Sequence, residues 1–491
     1  MRIFIDGHTF HYEMENLVRL FYPNEKITVT EGSETEPEKP YILTKMTKSD
    51  DKYILSASVH FDDFEKFKST DIGIDDKELE KNSERELAVI LYELLCEYTG
   101  KKQPWGILTG VRPIKLFRRL SEQNGSEYAK QYFEQKLLVS EAKTELSATT
   151  EINERKILSL NRPDSFSLYI SVPFCPTRCS YCSFVSQTIE KARKLVEPYF
   201  ELLCSEIKYT GEIVKAKKLR LETVYIGGGT PTTLSAEQLS LLIEVIRKSF
   251  DMSSCREFTI EAGRPDTITE EKLVSILNGG VDRISINPQT LNDDVLNVIG
   301  RKHSSEQTIN AYKMAEGIGF RHINMDLIAG LPTDTPDSFI NTLDTICELS
   351  PASITVHTLA LKRSSRLTLE GRGVTTENGD YAARMLEYCE KKLTESRYHP
   401  YYLYRQTRME GNLENVGWSK EGFDGLYNVY VMDETHTIIG CGAGAVTKLK
   451  VPHGETITRI FNYKYPYEYI NGFDEMLKRK EQVKEFYDEL S

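Results

Sequence analysis

The segment SLYISVPFCPTRCSYC (167–182) begins as a short apolar run and passes directly into Cys175, Cys179 and Cys182, spaced by three residues and then by two. An apolar run of this length, ending in Pro173-Phe174, reads as a buried strand. Three thiols on the loop behind it can converge on a metal centre. Structural zinc sites use four ligands, commonly in paired C-x-x-C knuckles, and no second knuckle or C-x-H pair lies nearby. Three ligands suit a cubane of four irons and four sulfurs, in which one iron keeps an open position. A lone zinc loop or incidental cysteines are the bland alternatives.

Further along the chain, similar runs recur: TVYIGGG (223–229), EFTIEAG (257–263), RISINP (283–288), HINMDLIAG (322–330) and SITVHTL (353–359). Amphipathic stretches such as SAEQLSLLIEVIRKSF (235–250) and TEEKLVSILNGG (269–280) separate them. Strands that each return through a helix form a parallel α/β unit. Six repeats are too few for a closed eight-stranded barrel and suit an open, partial one, although periodicity alone leaves a doubly wound sheet as the alternative. In either fold the chemistry belongs at the C-terminal strand ends.

Before this unit, MRIFI and YILSASVHF (53–61) read as strands on either side of the polar, acidic EGSETEPEKP (31–40). ERELAVILYELLCEYTG (84–100) reads as a helix stopped by Gly100, and helical character continues to about Leu158. The expected fold is therefore α/β. Residues 1–160 form an N-terminal α+β accessory domain with a helical connector, and 161–374 form the partial (β/α)6 core. Residues 375–491 form a C-terminal α+β region, aromatic-rich and containing IIGCGAGAV (438–446), which is expected to cover the substrate if the core is catalytic.

With 491 residues, 40% hydrophobic and 28% charged, the chain has ample material for buried cores. Lys+Arg number 62 against 74 Asp+Glu, a net charge of −12 that argues against broad attachment to nucleic acid or anionic lipid. Charged residues break up the N-terminal apolar residues, and no run approaches the length of a membrane span, so the cytoplasm is the expected location. Nine cysteines are too few for a disulfide scaffold.

Gly227-Gly228-Gly229-Thr230-Pro231 follows the second strand, and glycines there allow close backbone approach to a ligand. Glu261, Gln289, Arg301 and Asp326 occur at or just beyond successive strand ends. A zwitterionic, ribose-bearing ligand needs a guanidinium for its carboxylate and acceptors for its hydroxyls, and this set supplies both.

The three-cysteine loop at the end of the first strand of a six-fold repeat resembles the radical S-adenosylmethionine (SAM) superfamily, over residues 167 to about 450. LYISVPFCPTRCSYC, GGGTPTTL, FTIEAGRPD, RISINPQT and NMDLIAGLP resemble the oxygen-independent coproporphyrinogen III oxidases (coproporphyrinogen dehydrogenases). PWGILTGVRP, HTLALKRSSRL and YYLYRQTRMEGNLENVGW are similar to the HemZ-like branch. The resemblance implies a 4Fe-4S cluster on Cys175, Cys179 and Cys182. It assigns Tyr169, Tyr181, Gly228, Gly229, Thr230, Glu261, Gln289, Arg301 and Asp326 to the S-adenosyl-L-methionine that is cleaved. It assigns Ala360 and Val446, beside CGAGA, to a second SAM.

Two positions depart from the family pattern: Ser171 stands where a histidine is usual, and Phe184 where the dehydrogenases carry a further cysteine. A related haem chaperone branch also lacks that cysteine. The implied activity is that of a radical SAM oxidoreductase of porphyrin and haem biosynthesis, converting two propionates of coproporphyrinogen III to vinyl groups with an external electron donor and acceptor. A haem-binding or haem-trafficking protein, and a non-catalytic metal scaffold, are the alternatives. For a tetrapyrrole substrate's carboxylates, Arg363, Arg366, Arg405 and Arg408 are candidate partners, interleaved with Tyr401, Tyr402 and Tyr404. His357, at the end of the sixth strand, is expected to face the cavity.

Overall fold

The computed structural model describes residues 1–32 and 38–490, so part of the acidic run EGSETEPEKP lies outside the described residues. The chain divides into two compact units. The first comprises Met1–Glu151, Arg372–Asp380 and Tyr404–Glu414; the second comprises Ile152–Gly371, Tyr381–Leu403 and Asn415–Ser491. Residues 375–491 thus contribute to both units.

In the first unit, strands β1 (Arg2–Asp6), β2 (Thr28–Glu31), β3 (Tyr41–Ser49), β4 (Lys52–Phe61) and β5 (Phe64–Gly73) form a sheet in the order β2-β1-β3-β4-β5. Leu55, Ala57 and Val59 alternate along β4 and are buried, as are Leu87, Leu91 and Leu95, spaced four apart on helix Leu79–Thr99. One apolar stripe against one sheet face is the expected packing for these two periods. The helix stops at Gly100, whose φ of 69° suits glycine.

The second unit holds β6 (Ser165–Val172), β7 (Phe174–Cys175), β8 (Gln187–Thr188), β9 (Arg220–Gly228), β10 (Glu257–Glu261), β11 (Arg283–Ser285), β12 (His322–Ala329) and β13 (Ser353–Thr358). It continues with β14 (His399–Tyr404), β15 (Asn415–Ser419), β16 (Thr437–Cys441), β17 (Val446–Lys450) and β18 (Ile457–Phe461). The main sheet runs β14-β15-β13-β12-β11-β10-β9-β6-β16-β17-β18. Its parallel strands β6, β9, β10, β11, β12 and β13 stand in chain order. A doubly wound sheet reverses its order at a switch point; this one does not, and that decides between the two alternatives. β13 pairs with antiparallel β15 and β6 with β16, so the wall remains open: a partial (β/α)6 barrel.

The register sorts the wall into two faces. Phe166, Leu168, Ile170, Val224, Ile226, Phe258, Ile260, Ile284, Ile323, Met325, Ile354 and Val356 form the apolar face. The opposite face carries Ser167, Tyr169, Tyr225, Thr259, Glu261, Arg283, Asn324, Asp326, Thr355 and His357. Such strict alternation gives one face to packing and leaves the other for chemistry. Helices Ala236–Ser249 and Ser305–Ile318 each begin in a capping box, Ser235 with Gln238 and Ser304 with Gln307, which fixes where the strand-end loops stop. Among the described residues, no helix is long and apolar enough to cross a membrane.

Candidate active site at the strand ends

Pro173 interrupts β6, and the chain resumes as β7, which pairs with β8 and closes the cysteine loop at its base. Within that loop Cys182 N–H donates to Cys179 O at 3.2 Å, and Ser180 N–H to Ile299 O at 3.0 Å. Cys179 is buried, while Cys175 and Cys182 are partly exposed. The Thr230 hydroxyl lies 3.6 Å from Cys175 Sγ, and the Arg264 guanidinium 3.9 Å from Cys179 Sγ. Burial pushes the Cys182 thiol up to about 11, opposed by the Phe184 N–H, and also raises Cys175, opposed by the Ser186 and Thr230 hydroxyls. These neighbours donate to sulfur, as thiolate ligands require. Among the described residues no three His, Cys, Asp or Glu side chains gather around one point as a single-ion site. A four-iron cluster does not ask this of its cysteines, because each would bind a different iron.

The Gly-rich turn lies directly against this loop. Gly229 N–H donates to Val172 O at 2.9 Å and Thr230 N–H to Phe174 O at 2.7 Å. A Cβ on Gly229 would stand 2.6 Å from Phe174 O, so only glycine permits this approach. Gly228 has φ 102°.

Across the wall, Glu261 at the end of β10 accepts a hydrogen bond from the Tyr225 hydroxyl at 2.5 Å. Burial raises the Glu261 carboxyl to about 7; the Tyr225 bond opposes this and Asp326 adds to it. Burial also disfavours charge on Asp326, but His357, with Nε2 3.7 Å from Oδ2, and Asn324, donating at 2.7 Å, hold it below its ordinary value. One acid is thus poised near neutrality and its neighbour is kept ionised. His357 lies on this polar face, as the sequence suggests.

Arg301 is buried, donating to Asn287 O at 2.6 Å and to the Tyr181 hydroxyl at 3.3 Å, and its Nε has no partner. The Gln289 side-chain oxygen is likewise buried without a partner, and its backbone has φ 67°, an uncommon value for a non-glycine residue. Gln289 N–H donates to Asp326 O at 2.9 Å and Ile328 N–H to Gln289 O at 3.0 Å, which holds that conformation in place. An orphaned buried donor and an orphaned buried acceptor fit a ligand carrying both kinds of group, as an amino-acid nucleoside does. Tyr169 stacks with Tyr225 and Tyr427, centroids 6.4 and 6.3 Å away. Ala360 lies just past β13 and Val446 opens β17, at opposite ends of the parallel run.

Tyr401, Tyr402 and Arg405, named for the tetrapyrrole, are buried, which corrects the expectation that they offer it a surface. Tyr401 and Tyr402 are buried, and Gly417 is required where a Cβ would strike the Tyr402 ring. Arg405 belongs to the first unit, where its guanidinium bonds the carbonyls of Leu108 and Asn412 and lies 5.4 Å from the Trp105 ring centroid. The alternation of Tyr and Arg there marks a strand leaving one core for another. Arg363 and Arg366 are exposed, the latter 2.6 Å from Glu370. The sequence reading missed Tyr225 and Arg264. Tyr225 lies two residues before Gly227 on the same face of its strand, a period-2 signal that was available.

Raising a buried acid's pKa above its unfolded value adds stability that is present at low pH and lost as pH rises through the folded value. Glu261 should therefore contribute a loss of stability between about pH 4.5 and 7, and Glu261→Gln should remove that contribution from the profile. Urea unfolding midpoints across this range provide the measurement, and parallel profiles for the two proteins would count against the raised value.

A sequence profile of the radical SAM superfamily matches residues 169–346. The oxygen-independent coproporphyrinogen-III oxidase-like protein HemZ of Bacillus subtilis is 37% identical over 98% of each chain. The heme chaperone HemW of Haemophilus influenzae is 31% identical over 62% of this chain and 76% of that one. Among solved structures, coproporphyrinogen III oxidase (HemN) from Escherichia coli superposes with a TM-score of 0.50 at 23% identity, covering 66% of this chain and 72% of that one; this likeness concerns the fold alone. By sequence along its whole length and by its open six-stranded wall, the chain belongs to the radical SAM superfamily, whose members use a 4Fe-4S cluster and SAM, and within it to the family of oxygen-independent coproporphyrinogen-III oxidase-like proteins.

Proposed function

We propose that the protein is a radical SAM oxidoreductase that converts propionate side chains of coproporphyrinogen III to vinyl groups. The carrying observation is the juxtaposition of the three-cysteine loop with Arg301, bonded to Tyr181 but with Nε left without a partner, together with the orphaned Gln289 side-chain oxygen and the Glu261/Asp326 pair, in a chain 37% identical to a coproporphyrinogen-III oxidase-like protein. Cys175, Cys179 and Cys182 would hold the cluster. Cluster and SAM, when bound, would supply the one-electron chemistry that removes a hydrogen atom from a propionate side chain, whose carboxylate would then leave as carbon dioxide, with one electron passing to an external acceptor. The Gly228-Gly229-Thr230 turn would take the SAM amino group, Arg301 its carboxylate, and Glu261 and Asp326 the polar edge of its ribose. Gln289 and Tyr169 would fix the remaining contacts, and Ala360 and Val446 a second SAM. Glu261 accepts best when ionised, so SAM affinity is expected to weaken as pH falls below about 7 and to lose that dependence in Glu261→Gln, as followed by equilibrium binding.

A second reading, haem binding or trafficking without decarboxylation, is favoured by Phe184, whose phenyl ring is exposed at the position where the dehydrogenases carry a cysteine, and by the likeness to heme chaperones. One anaerobic assay separates the two. The reconstituted protein is given SAM, dithionite and coproporphyrinogen III, and deoxyadenosine and vinyl product are followed by mass spectrometry. Both products support decarboxylation. Deoxyadenosine without vinyl product rejects this substrate, and stoichiometric haem binding with neither product supports the second reading.

A further inference from the structure

The turn after β10 carries a charged pair at the buried thiol of the cysteine loop. Pro265 opens a single 3-10 turn, Pro265–Thr267, and the Thr267 N–H and hydroxyl both donate to Arg264 O, at 2.9 and 2.8 Å. This tight turn sets Arg264 beside Asp266: Nε donates to Oδ1 and Nη2 to Oδ2, each at 3.0 Å. Such a two-pronged pair fixes the plane of the guanidinium as well as its place. It leaves Nη1 free of the carboxylate, and Nη1 lies 3.1 Å from Thr177 Oγ1, 3.4 Å from Thr177 O and 3.9 Å from Cys179 Sγ. The other buried guanidinium of the region, Arg301, directs its donors to Asn287 O and the Tyr181 hydroxyl.

The row Cys179, Arg264, Asp266 has a polarity. Its positive member is at the sulfur with 4% of its side chain accessible, and its negative member, at 20%, is nearer to solvent. Beyond it stands His303, fully buried, with both ring nitrogens unpartnered and Nδ1 3.9 Å from Asp266 Oδ1. Burial, then the guanidiniums of Arg301 and Arg264, push this imidazole down to about 3, so it is neutral and adds no charge to the row. Away from water, fixed charges act on one another more strongly than at a surface. A guanidinium fixed at a ligating sulfur favours the redox state with more negative charge there, and hydrogen bonds to cluster sulfurs help to set reduction potentials. The carboxylate opposes this effect from a greater distance.

We propose that Arg264, oriented by Asp266, is a positioning residue that raises the reduction potential of the cluster through the Cys179 sulfur, resting on the reading above that this loop holds a cluster. One electron from the external donor enters the cluster, and no bond is made or broken. The fixed guanidinium offsets part of the added negative charge, so no proton need be taken up.

The test is a redox titration of the reconstituted full-length protein without SAM, followed by electron paramagnetic resonance, with iron content and visible absorption measured alongside. In Arg264→Gln the equilibrium should move roughly tenfold or more toward the oxidised form, a fall of about 59 mV or more for a one-electron couple, because a donor is lost and the Asp266 charge is left uncompensated. Arg264→Gln/Asp266→Asn removes that charge as well and should recover part of the fall. Arg264→Lys keeps a charge but not the fork, and its potential should lie between those of the wild type and Arg264→Gln. An unchanged potential in Arg264→Gln, or in Arg264→Lys where the glutamine variant holds no cluster, overturns the proposal. So does a fall that Asp266→Asn does not lessen, which would assign the shift to altered packing of the loop. A cluster lost from all three variants overturns it too, and would assign Arg264 to holding the loop closed through Thr177. Absence of cluster absorption in the wild type would instead remove the reading on which the proposal rests.

Discussion

Cys179→Ser should abolish the visible absorption of the reconstituted protein and all SAM cleavage, while leaving the fold intact. Cys179 is buried, and its loop is tied down by backbone bonds that do not involve the thiol, such as Ser180 N–H to Ile299 O at 3.0 Å. Serine fits the same volume, so the expected stability change is small, about 1 kcal/mol. A hydroxyl does not replace a thiolate as an iron–sulfur ligand, because it remains protonated at neutral pH and is a hard oxygen donor. The loss should therefore be complete rather than graded. It is read from the absorption spectrum and from deoxyadenosine, with circular dichroism as the control for folding. A variant that kept both the absorption and the cleavage would refute the assignment of the loop.

Lys480→Met should cost about 3–5 kcal/mol of stability, the effect of leaving one member of a buried ion pair uncompensated. Lys480 and Glu206 are both essentially inaccessible, with Nζ 3.1 Å from Glu206 Oε1, and Lys480 also donates to Gly440 O. Glu206 in turn accepts from the Gly442 N–H at 2.7 Å, Asn462 Nδ2 at 2.8 Å and the Tyr469 hydroxyl at 2.6 Å. Glycine at 442 brings the backbone so near β6 that a Cβ would lie 2.5 Å from Ser171 O. The network thus fastens the C-terminal helix Phe473–Glu489 to helix Ile189–Ala216 and to β16, which lies beside β6. Removing the ammonium leaves Glu206 buried and charged, with neutral donors but no counter-charge. Adding Glu206→Gln removes that charge and should recover a large part of the loss. Urea unfolding of the two single variants and the double one gives the coupling directly; simple additivity would show that the pair does not interact as described.

The residues that announce chemistry are local in the sequence. The cysteine spacing, the Gly-rich turn, and Glu261 and Asp326 at strand ends are each contained in one strand and its loop, where side-chain period and backbone propensity act over a few residues. Capping boxes at Ser235 and Ser304 are legible for the same reason. Period-2 alternation says which side chains share a face, but not which strand lies beside which. The chain-order wall, the insertion of β16 beside β6, and the extension of the sheet by β17 and β18 were decided only in three dimensions, by pairing of backbone groups far apart in sequence. The same holds for side chains whose role depends on a distant partner. Arg405 reads as a free cation in YLYRQTRM until the carbonyls of Leu108 and Asn412 enclose it, and burial then lowers its pKa to about 10. Glu206 reads as an ordinary helix glutamate until Lys480 arrives from the far end of the chain. The sequence by itself determined the cysteine spacing, the Gly-rich turn and the acids at the strand ends, because each of these is contained in one strand and its loop. The tertiary structure decided the wall's topology and which charged groups are buried, because a charge is worth burying only where its partner is delivered by another part of the fold.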